Sequence, residues 1–250
     1  AVHNLALQED GTVIAWGSES FGKCDVPPEL KGVIAVAAGD DHSVALKNDG
    51  TIVAWGYYDQ SDVPEDLPFI TAIAAGAYHT VALTKNGEVI IWGEDPYECL
   101  EVPEEIKPLK QIASDGYHIV AIQEDDTVIG WGRAEFSEIS ENGEFSNVVS
   151  ISTGIGLSLA LKEDGTIGVL GGNSCQLREY AKQLKDVKSV AAGSFVGGAV
   201  KEDGTLYIWG DLSPNIHTYT KDEEFIGIIG EQNLYENDKI EKLVLYEGED

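Results

Sequence analysis

The sequence predicts an all-β chain folded as a seven-bladed β-propeller, with six blades and an irregular closure as the alternative. Three observations carry this: a fifteen-residue phrase written six times, a tight turn at the centre of each copy, and a strand of small residues ahead of most copies. The phrase reads HNLALQEDGTVIAWG from His3, HSVALKNDGTIVAWG from His42 and HTVALTKNGEVIIWG from His79. It returns as HIVAIQEDDTVIGWG from His118, LSLALKEDGTIGVLG from Leu157 and VGGAVKEDGTLYIWG from Val196. Its last bulky position falls at Trp16, Trp55, Trp92, Trp131, Leu170 and Trp209, in steps of 39, 37, 39, 39 and 39 residues. A fixed period of this length marks supersecondary units that bury their apolar faces only against one another.

Each unit opens with an apolar run that closes on small residues. Val33–Gly39, Ile70–Gly76 and Val187–Gly193 are examples. Small side chains allow close approach, so these strands belong on the crowded inner side. The His run follows, as in Ser43-Val44-Ala45-Leu46, then a turn, then the Trp run, as in Thr51-Ile52-Val53-Ala54-Trp55. The turns hold Asp10-Gly11, Asp49-Gly50, Asn86-Gly87, Asp164-Gly165 and Asp203-Gly204, with Asp125-Asp126 in the fourth copy. Asp-Gly or Asn-Gly between β-branched runs is a strong hairpin signal, because the turn needs positive φ. Val26-Pro27, Val63-Pro64 and Val102-Pro103 follow the Trp-Gly pairs; proline there fits a connection or an outer-edge strand.

One unit is thus an antiparallel sheet of three or four strands, and radial stacking of such sheets is the propeller solution. Six units are clear. Residues 211–250 read as a seventh, degenerate unit: Phe225–Gly230 matches the Ala-Ala-Gly run and Leu243–Gly248 the last strand. The first unit lacks its small-residue strand, so either the C-terminal segment completes that blade or the N-terminus is trimmed. The expectation is one domain over residues 1–250, and the five Trp, all at one repeat position, are expected to be buried in blade packing.

Composition narrows function. The net charge is −28, from 44 acidic and 16 basic residues, with two Arg. Nucleic-acid binding rests on neutralising phosphates with Lys and Arg, so nucleic acid and anionic membranes are excluded as partners. No run approaches the ~20 apolar residues of a membrane helix, and no charged-then-apolar leader opens the chain. Met is absent, including from position 1, which points to a processed or trimmed N-terminus. Cys24, Cys99 and Cys175 form neither a disulfide framework nor a metal-ligand spacing. Motifs for a zinc protease, a serine-hydrolase elbow, a phosphate loop or a calcium loop are missing. No cofactor and no catalytic residue is assigned. His3, His42, His79 and His118 share one repeat position, which assigns their rings to bridging backbone groups within or between blades.

Strand parity locates the variable loops. The small-residue strand runs toward one face, the His strand back and the Trp strand up again. The loops after Ala-Ala-Gly and after Trp-Gly therefore open on one face, and the Asp-Gly turns on the other. The shared face collects Asp40, Asp41, Tyr78, Tyr117 and Phe195 from the first loop set and Tyr57, Tyr58 and Asp59 from the second. Exposed aromatics among charges are what protein hot spots use. These eight residues are the candidate partner-binding set of a non-enzymatic, monomeric, protein-binding propeller. Another class remains open: an enzyme, such as a lyase or glycan hydrolase, with carboxylates converging at the propeller axis. An intracellular regulatory scaffold is a further alternative.

The pattern Ala-Ala-Gly-x-x-His-Ser/Thr-x-Ala-Leu-Lys-x-Asp-Gly-Thr-x-x-x-Trp-Gly resembles the regulator-of-chromosome-condensation repeat, over nearly the whole chain and weakly after about residue 211. The short unit is most similar to bacterial members, among them a secreted seven-bladed β-lactamase inhibitor. That resemblance implies a secreted or cell-surface bacterial protein, with a β-lactamase or another secreted enzyme as its partner. In the inhibitor, aromatics in the loop before the His strand make much of the interface. Tyr78, Tyr117 and Phe195 match that position, whereas Asp40-Asp41 and Ile155-Gly156 depart from it. No insertion like the wedge of the eukaryotic exchange factors is visible.

Overall fold

The computed structural model describes residues 3–94, 101–132, 145–154, 157–170, 175–193, 196–210, 213–219 and 225–229. Strands dominate, and they follow the repeat. The first sheet holds β1 (His3–Leu7) and β2 (Val13–Gly17). The second holds β3 (Val33–Ala38), β4 (His42–Lys47) and β5 (Ile52–Gly56); a short helix, α1 (Tyr58–Ser61), follows it. Next come β6 (Ile70–Ala75), β7 (His79–Thr84) and β8 (Val89–Gly93), then β9 (Leu109–Ser114), β10 (His118–Gln123) and β11 (Val128–Gly132). The fifth sheet holds β12 (Val148–Gly154), β13 (Leu157–Lys162) and β14 (Ile167–Leu170), and is followed by α2 (Cys175–Ala181). The sixth holds β15 (Val187–Gly193), β16 (Val196–Lys201), β17 (Leu206–Gly210), β18 (Ser213–Tyr219) and β19 (Phe225–Ile229). Every pairing is antiparallel.

The turn chemistry explains the Asp-Gly-Thr signature. Gly50 N–H donates to the Lys47 carbonyl at 2.9 Å, and Gly50 sits at φ +79°. This is a three-residue loop ending in a left-handed residue, which glycine enters without a Cβ clash. Asp49 Oδ1 accepts from the Thr51 hydroxyl at 2.6 Å and the Thr51 N–H at 3.1 Å. The Thr51 hydroxyl, Lys47 and the Thr51 N–H together hold that carboxyl at about 2. Asp10, Asp125, Asp164 and Asp203 repeat the contact to the N–H of the Thr two residues on. In the fourth copy Asp126 itself takes the left-handed conformation, φ +66°.

The middle strands of the second to fifth sheets are buried on both faces: β4 buries His42–Leu46, β13 buries Leu157–Leu161, and β7 and β10 are buried throughout. The core lies between blades. Leu46 of one blade packs with Ile70, Ala82 and Trp92 of the next, and Ala74, Val81 and Leu83 pack with Leu109, Ile119, Ala121 and Trp131. The small-residue strands stand nearest the axis, β3 beside β6, β6 beside β9, β9 beside β12 and β12 beside β15. A Cβ on Gly39 would come within 2.5 Å of the Gly76 carbonyl, so inner strands meet backbone against backbone. This is the close approach expected from the Ala-Ala-Gly runs.

Two expectations change. Trp55, Trp92, Trp131 and Trp209 are buried, but Trp16 is 51% exposed. Each buried indole of the second and third blades is covered by the connection leaving the preceding blade: Trp55 Nε1 donates to the Lys23 carbonyl at 2.9 Å and Trp92 Nε1 to the Gln60 carbonyl at 3.1 Å. Trp16 lies in the first sheet, and among the described residues no preceding connection covers it. The second change concerns Phe225–Ile229, expected as the inner strand of a seventh blade. β19 is instead the fifth strand of the sixth sheet, paired through β18. The other strand expected for a seventh blade, Leu243–Gly248, lies outside the described residues.

Candidate protein-binding face

Backbone hydrogen bonds join the two loop sets. Tyr57 N–H, just after Trp-Gly of one blade, donates to the Asp41 carbonyl at 2.8 Å. In the next blade Glu94 N–H donates to the Tyr78 carbonyl, also at 2.8 Å. The loops after Ala-Ala-Gly and after Trp-Gly thus share a face, as strand parity requires. The Asp-Gly turns sit at the other end of the strands, where the Gly50 carbonyl meets the N–H of Ile70 as the next inner strand begins.

On the loop face Asp40 is exposed, while Asp41, Tyr57, Tyr78 and Tyr117 are half-buried. Tyr58 and Asp59 fall in α1. Phe195 lies outside the described residues. Asp41 carries a structural load as well: its Oδ1 lies 2.8 Å from Nζ of Lys23, whose side chain is fully buried. Lys23 Nζ also donates to the Asp40 carbonyl at 2.8 Å. The ammonium is thereby satisfied by one carboxylate and one carbonyl, and the Asp40-Asp41 loop is pinned to the preceding connection.

The face holds an aromatic that the candidate set omitted. Phe21 is 58% exposed, and its ring stands edge-on to Tyr57 at 5.0 Å between centroids. Its backbone is left-handed, φ +62°, a costly conformation for a bulky residue. Gly22 follows at φ +73°. The Ser-Phe-Gly string gave no warning of this, because the signal is the combination of strain and exposure. Exposed apolar residues at the other end have local explanations. The Phe69 ring covers Gly50 of a turn, and Ile34 and Val149 sit at β-bulges where pairing skips a residue.

The shared histidines form inter-blade clasps. Nε2 of His3 meets the Ser43 hydroxyl at 2.7 Å, that of His42 the Thr80 hydroxyl at 2.9 Å, and that of His118 the Ser158 hydroxyl at 2.7 Å. The partner is a hydroxyl of the following blade and not the backbone group expected. Ser43 and Thr80 pass the contact on to the carbonyls of Lys23 and Gln60, the same two that accept from Trp55 and Trp92. The clasp position after His118 is Ile119, which has no hydroxyl. His79 turns to Ser114 instead, at 2.7 Å.

The fourth blade also departs at the axis. Gly39, Gly76, Gly154 and Gly193 end the other inner strands, and Asp115 stands at the same place. Its Oδ1 accepts from the N–H groups of Tyr117 and His118 at 2.8 and 3.0 Å, and lies 3.0 Å from His118 Nδ1. Burial pushes this carboxyl upward. Contact with His118 and the two N–H groups pull it down and prevail, so it sits below the usual carboxylate range. Asp115, His118 and Ser158 stand in an acid–imidazole–hydroxyl line, the first link a close charge contact and the second a hydrogen bond. Ser158 is nonetheless 2% exposed, and the same imidazole–hydroxyl contact recurs at His3 and His42 without the acid. The line is therefore a clasp, not a nucleophile relay.

Asp115 and Asp40 line a shallow axial cavity of about 270 Å³ on the loop face, with Gly76, Tyr117, Gly154 and Gly193. Among the described residues no group of three or more His, Cys, Asp or Glu is placed to hold a metal, and no helix is long and apolar enough to cross a membrane. Cys24 is a free thiol whose Sγ donates to the Ser18 carbonyl at 3.4 Å.

Residues 33–60 and 70–98 match the regulator of chromosome condensation (RCC1) repeat. No curated protein sequence matches this chain. Among solved structures, yeast RCC1 (Prp20) bound to Kap60 is similar at a TM-score of 0.68 and 26% identity, over 83% of this chain and 68% of that one. Prp20p of Saccharomyces cerevisiae, studied with its binding to Gsp1p and histones, gives 0.67 and 25%, over 83% and 69%. The ectodomain of the Physcomitrella patens receptor kinase CR4 gives 0.69 at 18% identity, over 83% of this chain and 59% of that one. This chain therefore spans about three-fifths of the CR4 ectodomain. The fold is that of an RCC1-type repeat propeller.

Proposed function

We propose that this propeller is a non-enzymatic protein-binding module that engages its partner through the loop face. The observation that carries the reading is Phe21, largely exposed, fixed in a left-handed backbone and set edge-on to Tyr57. A rigid aromatic anchor presented to solvent loses little conformational entropy on binding. Tyr117 and Asp40 line the axial cavity on the same side, and Tyr78 stands in the corresponding loop of the third blade. The similar yeast propeller is described with protein partners, Kap60, Gsp1p and histones, which supports protein binding as the mode without naming the partner here. The finer reading is a secreted bacterial inhibitor of an enzyme such as a β-lactamase. It is supported by Tyr78 and Tyr117 standing in the loop before the His strand.

Photo-crosslinking tests the face. A benzophenone side chain placed at Phe21 or Tyr117 is expected to capture protein from the source extract, and one at Asp49 or Asn86, on the turn face, is not. Capture from the turn face alone would refute the reading. Purified class A β-lactamase, assayed with a chromogenic cephalosporin, tests the finer proposal: full activity at micromolar propeller would remove it.

A further inference from the structure

We infer that the axial cavity on the loop face is a receptor for one cationic side chain, an arginine or lysine, of a protein partner. The inference rests on the protein-binding reading of that face and adds the chemistry of the group that enters. Its starting point is the break in the glycine ring. Gly39, Gly76, Gly154 and Gly193 bring only backbone to the axis, and Asp115 alone among these positions brings a charge.

The second oxygen of that carboxylate is unspent. Oδ1 accepts from Tyr117 N–H and His118 N–H and stands 3.0 Å from His118 Nδ1. Oδ2 is buried and has no hydrogen-bond partner, on a side chain only 7% exposed. A buried acceptor without a donor is costly, and a donor delivered to it recovers that cost. The cavity wall supplies Asp40 as a second carboxylate, and among the described residues no Lys or Arg lines it. Asp40 is held in place from behind, since Lys23 Nζ grips its carbonyl. The Asp115 carboxylate is thus fixed by its loop, and the backbone that carries Asp40 is fixed by Lys23. The opening, about 270 Å³, suits one guanidinium or ammonium head and is too small for a folded element. The net charge of −28 draws cationic partners toward it. A guanidinium fits best, because its planar fork can serve a carboxylate and flanking carbonyls together.

The test uses the full chain, ¹⁵N-labelled, at 150 mM salt, titrated with N-acetyl-arginine amide. Its neutral isostere N-acetyl-citrulline amide and MgCl₂ are run in parallel. The arginine amide is expected to shift the amides of Asp40, Gly76, Asp115 and Tyr117, and the citrulline amide to leave them in place. D115N keeps the Oδ1 acceptor and removes the charge, and is expected to weaken arginine binding about tenfold. D115G, which installs the residue found at four other inner-strand ends, is expected to do the same and guards against a folding defect in either variant. The inference is overturned if arginine shifts these amides no more than citrulline does. It is also overturned if D115N and D115G bind arginine as wild type does, or if Mg²⁺ shifts these amides and arginine does not. A silent titration leaves crosslinking at Phe21 untouched, and crosslinking confined to the turn face leaves the titration untouched, so the two readings fail separately.

Discussion

Replacing Thr80 by Val removes one hydroxyl and almost no volume, and it isolates the inter-blade clasp. Thr80 is buried, accepts from His42 Nε2 at 2.9 Å, and donates its one hydroxyl proton to the Gln60 carbonyl at 2.9 Å. The Gln60 carbonyl keeps a donor, because Trp92 Nε1 reaches it at 3.1 Å. His42 keeps nothing: its Nδ1 is already buried without a partner. The expected loss is one net hydrogen bond, about 1 kcal/mol, plus part of the ~1–3 kcal/mol for an orphaned buried nitrogen, about 2–3 kcal/mol in all. Against a typical total of ~5–15 kcal/mol this is a large share. With a urea slope of ~3 kcal/mol/M the midpoint should fall by about 0.7–1 M at unchanged slope. T80S should recover most of it. A T80V midpoint within ~0.2 M of wild type would show that the hydroxyl ladder does not hold the blades together, and the structural assignment of the histidines would fall with it.

Other consequences are as direct. His42 is held at about 4, chiefly by burial and then by neighbouring His79 and His3. Its unfolded value is near 6.5, so between these limits the unfolded chain binds more protons and stability rises with pH; the contribution is complete above pH 6.5 and lost as pH falls toward 4, roughly 2–3 kcal/mol by pH 4.5. Unfolding free energies from urea titrations at pH 7 and 4.5 should therefore differ less in H42Q than in wild type by that amount, and equal differences would refute it. D41N should cost about 1–2 kcal/mol of stability, because Lys23 keeps the Asp40 carbonyl and Asp41 is one-third open to solvent; a stability equal to wild type in thermal melts would show the pair idle. S114A should destabilise by about 1 kcal/mol by removing the hydroxyl that His79 Nε2 meets at 2.7 Å. I119T in the S114A background should restore much of that by returning the hydroxyl to its repeat position; destabilisation by I119T in both backgrounds would count against the exchange.

The repeat made the frame readable. Period and turn residues place the strands, because Asp-Gly-Thr does its work within five residues and the Ala-Ala-Gly run announces its own close packing. Strand parity then sorted the loops correctly, as the bonds from Tyr57 to Asp41 and from Glu94 to Tyr78 show. What stayed hidden depends on contacts between repeats. The burial of a Trp requires a covering connection, so Trp16 and Trp55, both closing an Ala-Trp-Gly strand end, differ in exposure. The hydroxyl beside each His looked like any strand Ser or Thr until the neighbouring blade was in place. Phe21 could not be separated from other loop aromatics, since neither its left-handed backbone nor its contact with Tyr57 is written in adjacent residues.

The fourth blade carries the argument further, because its departures from the repeat are coupled. Ile119 removes the hydroxyl that His79 would use, and Ser114 supplies one from the inner strand. Asp115 then takes the position of a glycine and locks the following loop through the N–H groups of Tyr117 and His118. A degenerate repeat would lose one contact after another without compensation. Here one clasp is rerouted and a carboxylate is built into the axis, with one oxygen committed to the loop and the other left without a donor. Restoring the clasp explains Ser114. Nothing in blade packing requires Asp115, since glycine closes the inner strand in four other blades. The position where the frame is repaired is also the position where a charge is introduced, which is the pattern of a repeat adapted to receive something from outside.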